Sequence, residues 1–118
     1  MSGSQAPNGL HELRIYSVAK GRLGDLQHRF RSLTLPLFER HRFSYAGPWI
    51  FETEEGERIV YLLHWASAEE RDERLTAFRT DPEWTEGLKA SEQNGPLVNQ
   101  IDVHLLTPLE NWSPPDSP

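Results

Sequence analysis

Residues 44–66 read SYAGPWIFETEEGERIVYLLHWA. Glu54-Glu55-Gly56 is a turn, and the runs on either side are rich in aromatic and β-branched residues. Glu57 to Ala66 carries Ile59, Val60, Tyr61, Leu62, Leu63 and Trp65. Ser44 to Thr53 carries Tyr45, Trp49, Ile50 and Phe51. Two such runs around a short polar turn predict a β-hairpin. Gly47-Pro48 interrupts the first run and predicts a bulge or an edge position, because proline cannot donate to a sheet ladder.

On the N-terminal side, Leu10 to Val18 alternates. Leu13 and Ile15 share one face, with Glu12, Arg14 and Tyr16 on the other, the pattern of a half-buried strand. After Gly21, residues Leu23, Leu26, Phe30, Leu33 and Leu37 recur at steps of three and four. That stripe predicts an amphipathic helix to about His41, with a kink or break near Leu33 caused by Pro36. On the C-terminal side, Ser67 and Glu70 form a capping box that opens a helix through Leu75 and Phe78. Asp81-Pro82 is an N-cap followed by proline at the first helical position, so a short further helix carries Trp84 and Leu88. Val98 to Leu106 alternates again, with Ile101, Val103 and Leu105 against Gln100, Asp102 and His104. The order β-α-β-β-α-β, with a bipartite second helix, is the split pattern of ferredoxin-like folds. The expectation is an α+β domain whose four-stranded antiparallel sheet has its helices on one face.

The 118 residues suit one domain. Residues 1–9 read as a disordered arm or cloning remnant, 10–108 as the domain and 109–118 as a flexible proline-rich tail. The sequon Asn111-Trp112-Ser113 in that tail is read as chance. Eighteen acidic residues against twelve basic ones give a net charge of −6. That opposes binding to nucleic acid and to an anionic membrane surface. The absence of cysteine excludes thiol nucleophiles, thiolate metal sites and disulfides. No run is long enough to span a bilayer and no secretory signal is seen, so a cytoplasmic protein is expected.

The sheet face away from the helices poses the functional question. On it the alternation places Glu12, Arg14 and Tyr16 from the first strand and Gln100, Asp102 and His104 from the fourth. The two middle runs are too apolar on both faces to leave either in water. A second copy packed face to face would cover that side and form a symmetric dimer. Its mixed polar and aromatic lining fits a small-molecule cavity.

Several pieces together resemble the NIPSNAP family. They are Glu12-Leu13-Arg14-Ile15-Tyr16, the Gly21 turn, Leu35-Pro36 with Glu39-Arg40-His41, Gly47-Pro48-Trp49, Ser67-Ala68-Glu69-Glu70-Arg71 and Asp81-Pro82-Glu83-Trp84. The resemblance implies a dimeric α/β barrel, kin to monooxygenases, isomerases, cyclases and lyases that need no cofactor. It implies no particular reaction. Two departures stand out: Arg42 follows His41 where the family usually has glycine, and His64-Trp65 replaces a His-x-Trp pair, so the two side chains point to opposite faces.

Arg14 and Asp102 are expected to face each other on neighbouring strands, either as a site for a carboxylate or enolate or as a cross-strand ion pair. Glu12 is an alternative partner for Arg14, and a half-buried carboxylate there would have a raised pKa suited to acid–base work. Tyr16 either donates to an oxyanion or fills the barrel. His64 and His104 are candidates for proton transfer, or structural strand residues. Trp49 is a pocket wall or a core residue, while His28, His41 and Trp84 are read as helix residues. The histidines lack metal-ligand spacing, and no nucleophile elbow or phosphate loop is present.

The reading that results is a cofactor-independent, metal-free enzyme of the dimeric α/β-barrel type, of a biosynthetic kind. It performs proton-transfer chemistry or oxygenation on an apolar, oxygenated ligand. Arg14, Tyr16, Trp49 and His104 bind the ligand, and His64, Asp102 and Glu12 move protons. The alternative is a non-catalytic ligand-binding or scaffold homodimer.

Overall fold

A computed structural model of the chain describes residues 9–109. Apart from Gly9 and Leu109, the expected arm, tail and sequon lie outside the described residues. Four strands, β1 (Leu10–Val18), β2 (Ser44–Thr53), β3 (Gly56–Trp65) and β4 (Val98–Leu106), form one sheet in the order β2-β3-β1-β4. Every neighbouring pair is antiparallel. This is the ferredoxin-like arrangement read from the sequence.

The first helical region is segmented. It comprises α1 (Leu23–Arg29), a π-helical turn (Phe30–Thr34) and α2 (Leu35–Arg40). Pro36 has no amide hydrogen to give to the carbonyl four residues earlier. At this point the ladder widens, and the Leu35 N–H reaches Phe30 O, five residues back. The break predicted near Leu33 is therefore a π turn.

The second region is α3 (Ala68–Arg79) followed by α4 (Pro82–Ser91). Ser67 Oγ accepts from the Glu70 N–H at 3.1 Å. Glu70 Oε2 reaches back to the Ala66 N–H at 2.9 Å, one residue beyond the usual partner. Asp81 Oδ1 caps α4 by accepting from the Glu83 N–H at 2.9 Å. In β2 the pairing shifts register between Ala46 and Trp49, where Gly47 sits at φ 93°. Both expectations for Gly47-Pro48 hold: β2 is an edge strand, and the irregularity falls there.

The helices cover one face of the sheet. Tyr16, Ile59, Tyr61, Leu63 and Trp65 pack on that side with Phe30, Phe38, Phe43, Leu75 and Phe78. The register shows which β1 residues join them. Arg14 is paired with Tyr61, and Glu12 with Leu63, so Glu12, Arg14 and Tyr16 point toward the helices. The opposite had been expected. Leu13 and Ile15, the apolar pair, lie on the outer face with Val60 and Leu62. Alternation marks two faces without saying which is covered, and polarity misled because the buried polar groups here are fully partnered.

The same register separates Arg14 from Asp102. Arg14 stands opposite Val103, whereas Asp102 stands opposite Ile15 on the outer face. The expected Arg14–Asp102 pair does not form. Among the described residues, no helix is long and apolar enough to cross a membrane.

Candidate functional site

Between the sheet and the helices lies a cavity of about 130 Å³. Its polar floor comes from the sheet: Arg14 and Tyr16 on β1, and Tyr61 on β3. Its walls come from the helices and from the loop before β2, through Thr34, Phe38, Phe43, Phe78 and Trp84, with Arg79 and Ile101 completing the lining. Thr34 belongs to the π turn, so the helix irregularity forced by Pro36 contributes directly to the wall. Phe78 lies tilted against Trp84, with ring centroids 4.5 Å apart, and Phe38 tilted against Phe78 at 5.3 Å. Such aromatic pairs add roughly 0.5–1.5 kcal/mol each beyond simple burial, which keeps the wall rigid.

The floor is a hydrogen-bonded array. The Tyr16 and Tyr61 hydroxyls are 2.8 Å apart. Tyr61 is 2% exposed. Burial and the neighbouring Tyr16 push its ionisation well above the ordinary value, and Arg14 only partly offsets this. Tyr61 is thus held protonated, as a donor. Arg14 can only donate. Burial would favour its neutral form, but the surrounding tyrosines and Glu12 hold its pKa above the usual value.

Behind the floor, Glu12 is 0% exposed. It accepts from Arg14 Nε at 2.6 Å, from Arg71 Nε at 2.7 Å and from Trp65 Nε1 at 2.9 Å. Burial alone would raise its pKa, but those donors outweigh burial and leave it below the ordinary carboxylate range. This corrects the expectation of a raised value. Glu12 is a fixed anion that orients Arg14, and it has no proton to lend near neutral pH.

The remaining candidates are on the outer face. His64 is paired with His11, their ring centroids 4.7 Å apart. Asp102 and His104 lie opposite Ile15 and Leu13. Trp49 lies opposite Val60 and is 52% exposed. None of the four lines the cavity. The structure brings together Arg14 and Tyr16 of the expected set, with Glu12 behind them, and separates the rest by the thickness of the sheet. Tyr61, Thr34 and Arg79 were missed. Tyr61 was findable, because a central strand must place every second residue of β3 on the helix side.

A larger surface groove of about 450 Å³ lies between α1 and α4. Its arginines are already engaged: Arg22 with Asp25 and Asn94, and Arg29 with Ser91 and Glu92. Trp84 and His41 are both helix-associated, as expected. His41 Nε2 also lies 2.8 Å from Asp81 Oδ2, tying α2 to the start of α4. Among the described residues no group of three potential ligands is placed to hold a metal ion.

Comparison with solved structures places this fold among known relatives. An uncharacterized NIPSNAP-like domain protein from Burkholderia xenovorans superposes with a TM-score of 0.76 at 22% identity, covering 92% of this chain and 91% of its own. A NIPSNAP family protein of unknown function from Agrobacterium tumefaciens gives 0.73 at 19% identity, covering 84% and 86%. A Bordetella bronchiseptica protein, provisionally named an antibiotic biosynthesis monooxygenase, gives 0.58 at 20% identity, covering 85% and 96%. No curated protein matches the chain at a significant level. The NIPSNAP family profile matches residues 11–114, most of the chain, and the chain belongs to the NIPSNAP family.

Proposed function

We propose that the protein is a homodimeric enzyme that stabilises the enolate or phenolate form of a small oxygenated substrate in the cavity between sheet and helices. The observation that carries this reading is the donor array of Arg14, Tyr61 and Tyr16 at one end of an otherwise aromatic pocket. When a carbon beside a carbonyl loses its proton to a solvent base, the electron pair moves onto the carbonyl oxygen. Fixed donors aimed at that oxygen stabilise the developing charge without reorganising. Reprotonation at another carbon gives an isomer. Attack of the same electron-rich carbon on dioxygen, as co-reactant, begins an oxygenation. A monooxygenase name within the same fold is compatible with the second route, as fold analogy only.

The homodimer rests on the outer face. Leu13, Ile15, Val60 and Leu62 form its centre, flanked by Phe51 at 41% and Trp49 at 52% exposure. A second copy offers the same apolar patch in return, which suits an isologous interface. Leu62→Glu is expected to leave a folded monomer by solution mass; a wild-type monomer would refute the pairing.

Non-catalytic ligand binding is the second reading, favoured by one observation: no carboxylate or histidine lines the cavity. Deuterium uptake by acetophenone, a single-ring ketone, in heavy water separates the two. Exchange faster than in buffer and lost in Tyr61→Phe supports catalysis. Binding of the ketone without faster exchange supports a binding protein.

A further inference from the structure

Resting on the cavity reading above, we infer that the ligand is a single aromatic ring bearing one anionic oxygen, bound as the anion with that oxygen on the Tyr16–Tyr61–Arg14 floor. Size comes first. A cavity of about 130 Å³ is close to the volume at which an engineered apolar cavity of about 150 Å³ holds benzene. One ring fits, and two fused rings do not. The walls agree, since Phe38, Phe43, Phe78 and Trp84 present ring faces and edges suited to a planar guest.

Charge selects further. The chain carries a net charge of −6, yet the cavity lining includes Arg14 and Arg79 and no acidic residue. Arg79 has no ion-pair partner among the described residues. Glu12 neutralises part of Arg14's charge through Nε, and Arg14 remains one of the residues that line the cavity. The hydrogen-bond count points the same way. The bond between the tyrosine hydroxyls uses one of their two protons, and the other remains to be donated. A floor made of donors, with the Tyr61 phenol held protonated, is completed by an acceptor, and best by a charged one.

The test uses the full-length protein and 4-nitrophenol, whose ionised form is yellow. At about one pH unit below the probe's own pKa, titration with protein is expected to deepen the yellow colour, because the anion is bound in preference. Arg79→Ala and Tyr61→Phe are each expected to weaken binding by roughly tenfold, with circular dichroism confirming that both remain folded. Benzoate competing for the same site would assign the carboxylate source. Failure of benzoate to compete while 4-nitrophenolate binds would assign the phenolate source. Nitrobenzene binding as tightly as 4-nitrophenolate would overturn the inferred charge and leave the cavity reading standing. Failure of both nitro probes to bind would overturn the inference and the cavity reading together.

Discussion

The hydroxyl oxygens of Tyr16 and Tyr61 lie 2.8 Å apart, on neighbouring central strands and two residues off direct register. Tyr16 is opposite Ile59 and Tyr61 opposite Arg14, so the two rings meet diagonally, within the reach that aromatic side chains have across a sheet. The contact is buried, and no protein carboxylate or imidazole competes for it within the cavity. Its chemistry is therefore donation to whatever enters.

Tyr61→Phe should separate stability from function. Removing one hydroxyl keeps the ring packing and costs about 1 kcal/mol of stability. Affinity for an anionic ring, and any turnover, should fall by about tenfold or more. Chemical denaturation and ligand titration on the same preparation measure both. A large loss of stability with unchanged affinity would place Tyr61 in the framework alone.

Glu12→Gln leaves Arg14 and Arg71 without their shared buried anion. Breaking a buried pair from one side costs about 3 kcal/mol or more, and the urea midpoint should fall accordingly. The pH dependence has a fixed sign. The folded-state pKa of Glu12 lies below the ordinary value, so the unfolded chain takes up protons first as pH falls. The stabilisation is complete above the unfolded pKa, about 4.3, and is lost as pH drops through the folded value. Glu12→Gln should flatten that acid limb; an identical limb in wild type and variant would contradict the assignment.

Acid should weaken self-association. Burial first, and His64 second, lower the pKa of His11. The outer face also carries His104 and Asp102 on β4 and Arg58 on β3, and Arg58 lies 3.7 Å from Glu55 of the hairpin turn. As pH falls past the ordinary histidine value of about 6.5 and through the lower one of His11, positive charge is added to the face that a second copy would cover. The dimer fraction, followed by sedimentation between neutral and mildly acidic pH, should fall. His11→Asn should blunt the change. A dimer equally tight at both ends of that range would exclude this dependence.

Asp81 does two jobs at one position. It caps α4 through the Glu83 N–H and holds His41 at 2.8 Å and Arg40 at 3.3 Å. The His41 bond, then the Glu83 amide and Arg40, outweigh a small burial effect and keep its carboxyl below the ordinary range. Asparagine is a good cap but carries no charge, so Asp81→Asn should lower the melting temperature less than Asp81→Ala. In wild type the benefit is full above the unfolded carboxylate pKa and fades as pH falls through the folded one. Equal melting temperatures for the two variants would assign the whole effect to the ionic contacts.

The sequence by itself determined the order of elements, the hairpin at Glu54-Glu55-Gly56, the caps at Ser67 and Asp81 and the break before Pro36. Each depends on residues within a few positions of one another, where backbone sterics and local hydrogen bonds decide. Only the tertiary structure decided which side of β1 is inside. Leu13 and Ile15 looked like core, and Glu12 and Arg14 looked like the lining of the face away from the helices. Yet Arg71 and Trp65, more than fifty residues further along the chain, supply the partners that make Glu12 inexpensive to bury. That choice set Arg14 and Tyr16 apart from His64, Asp102 and His104, because a strand sends alternate side chains to opposite faces of the sheet.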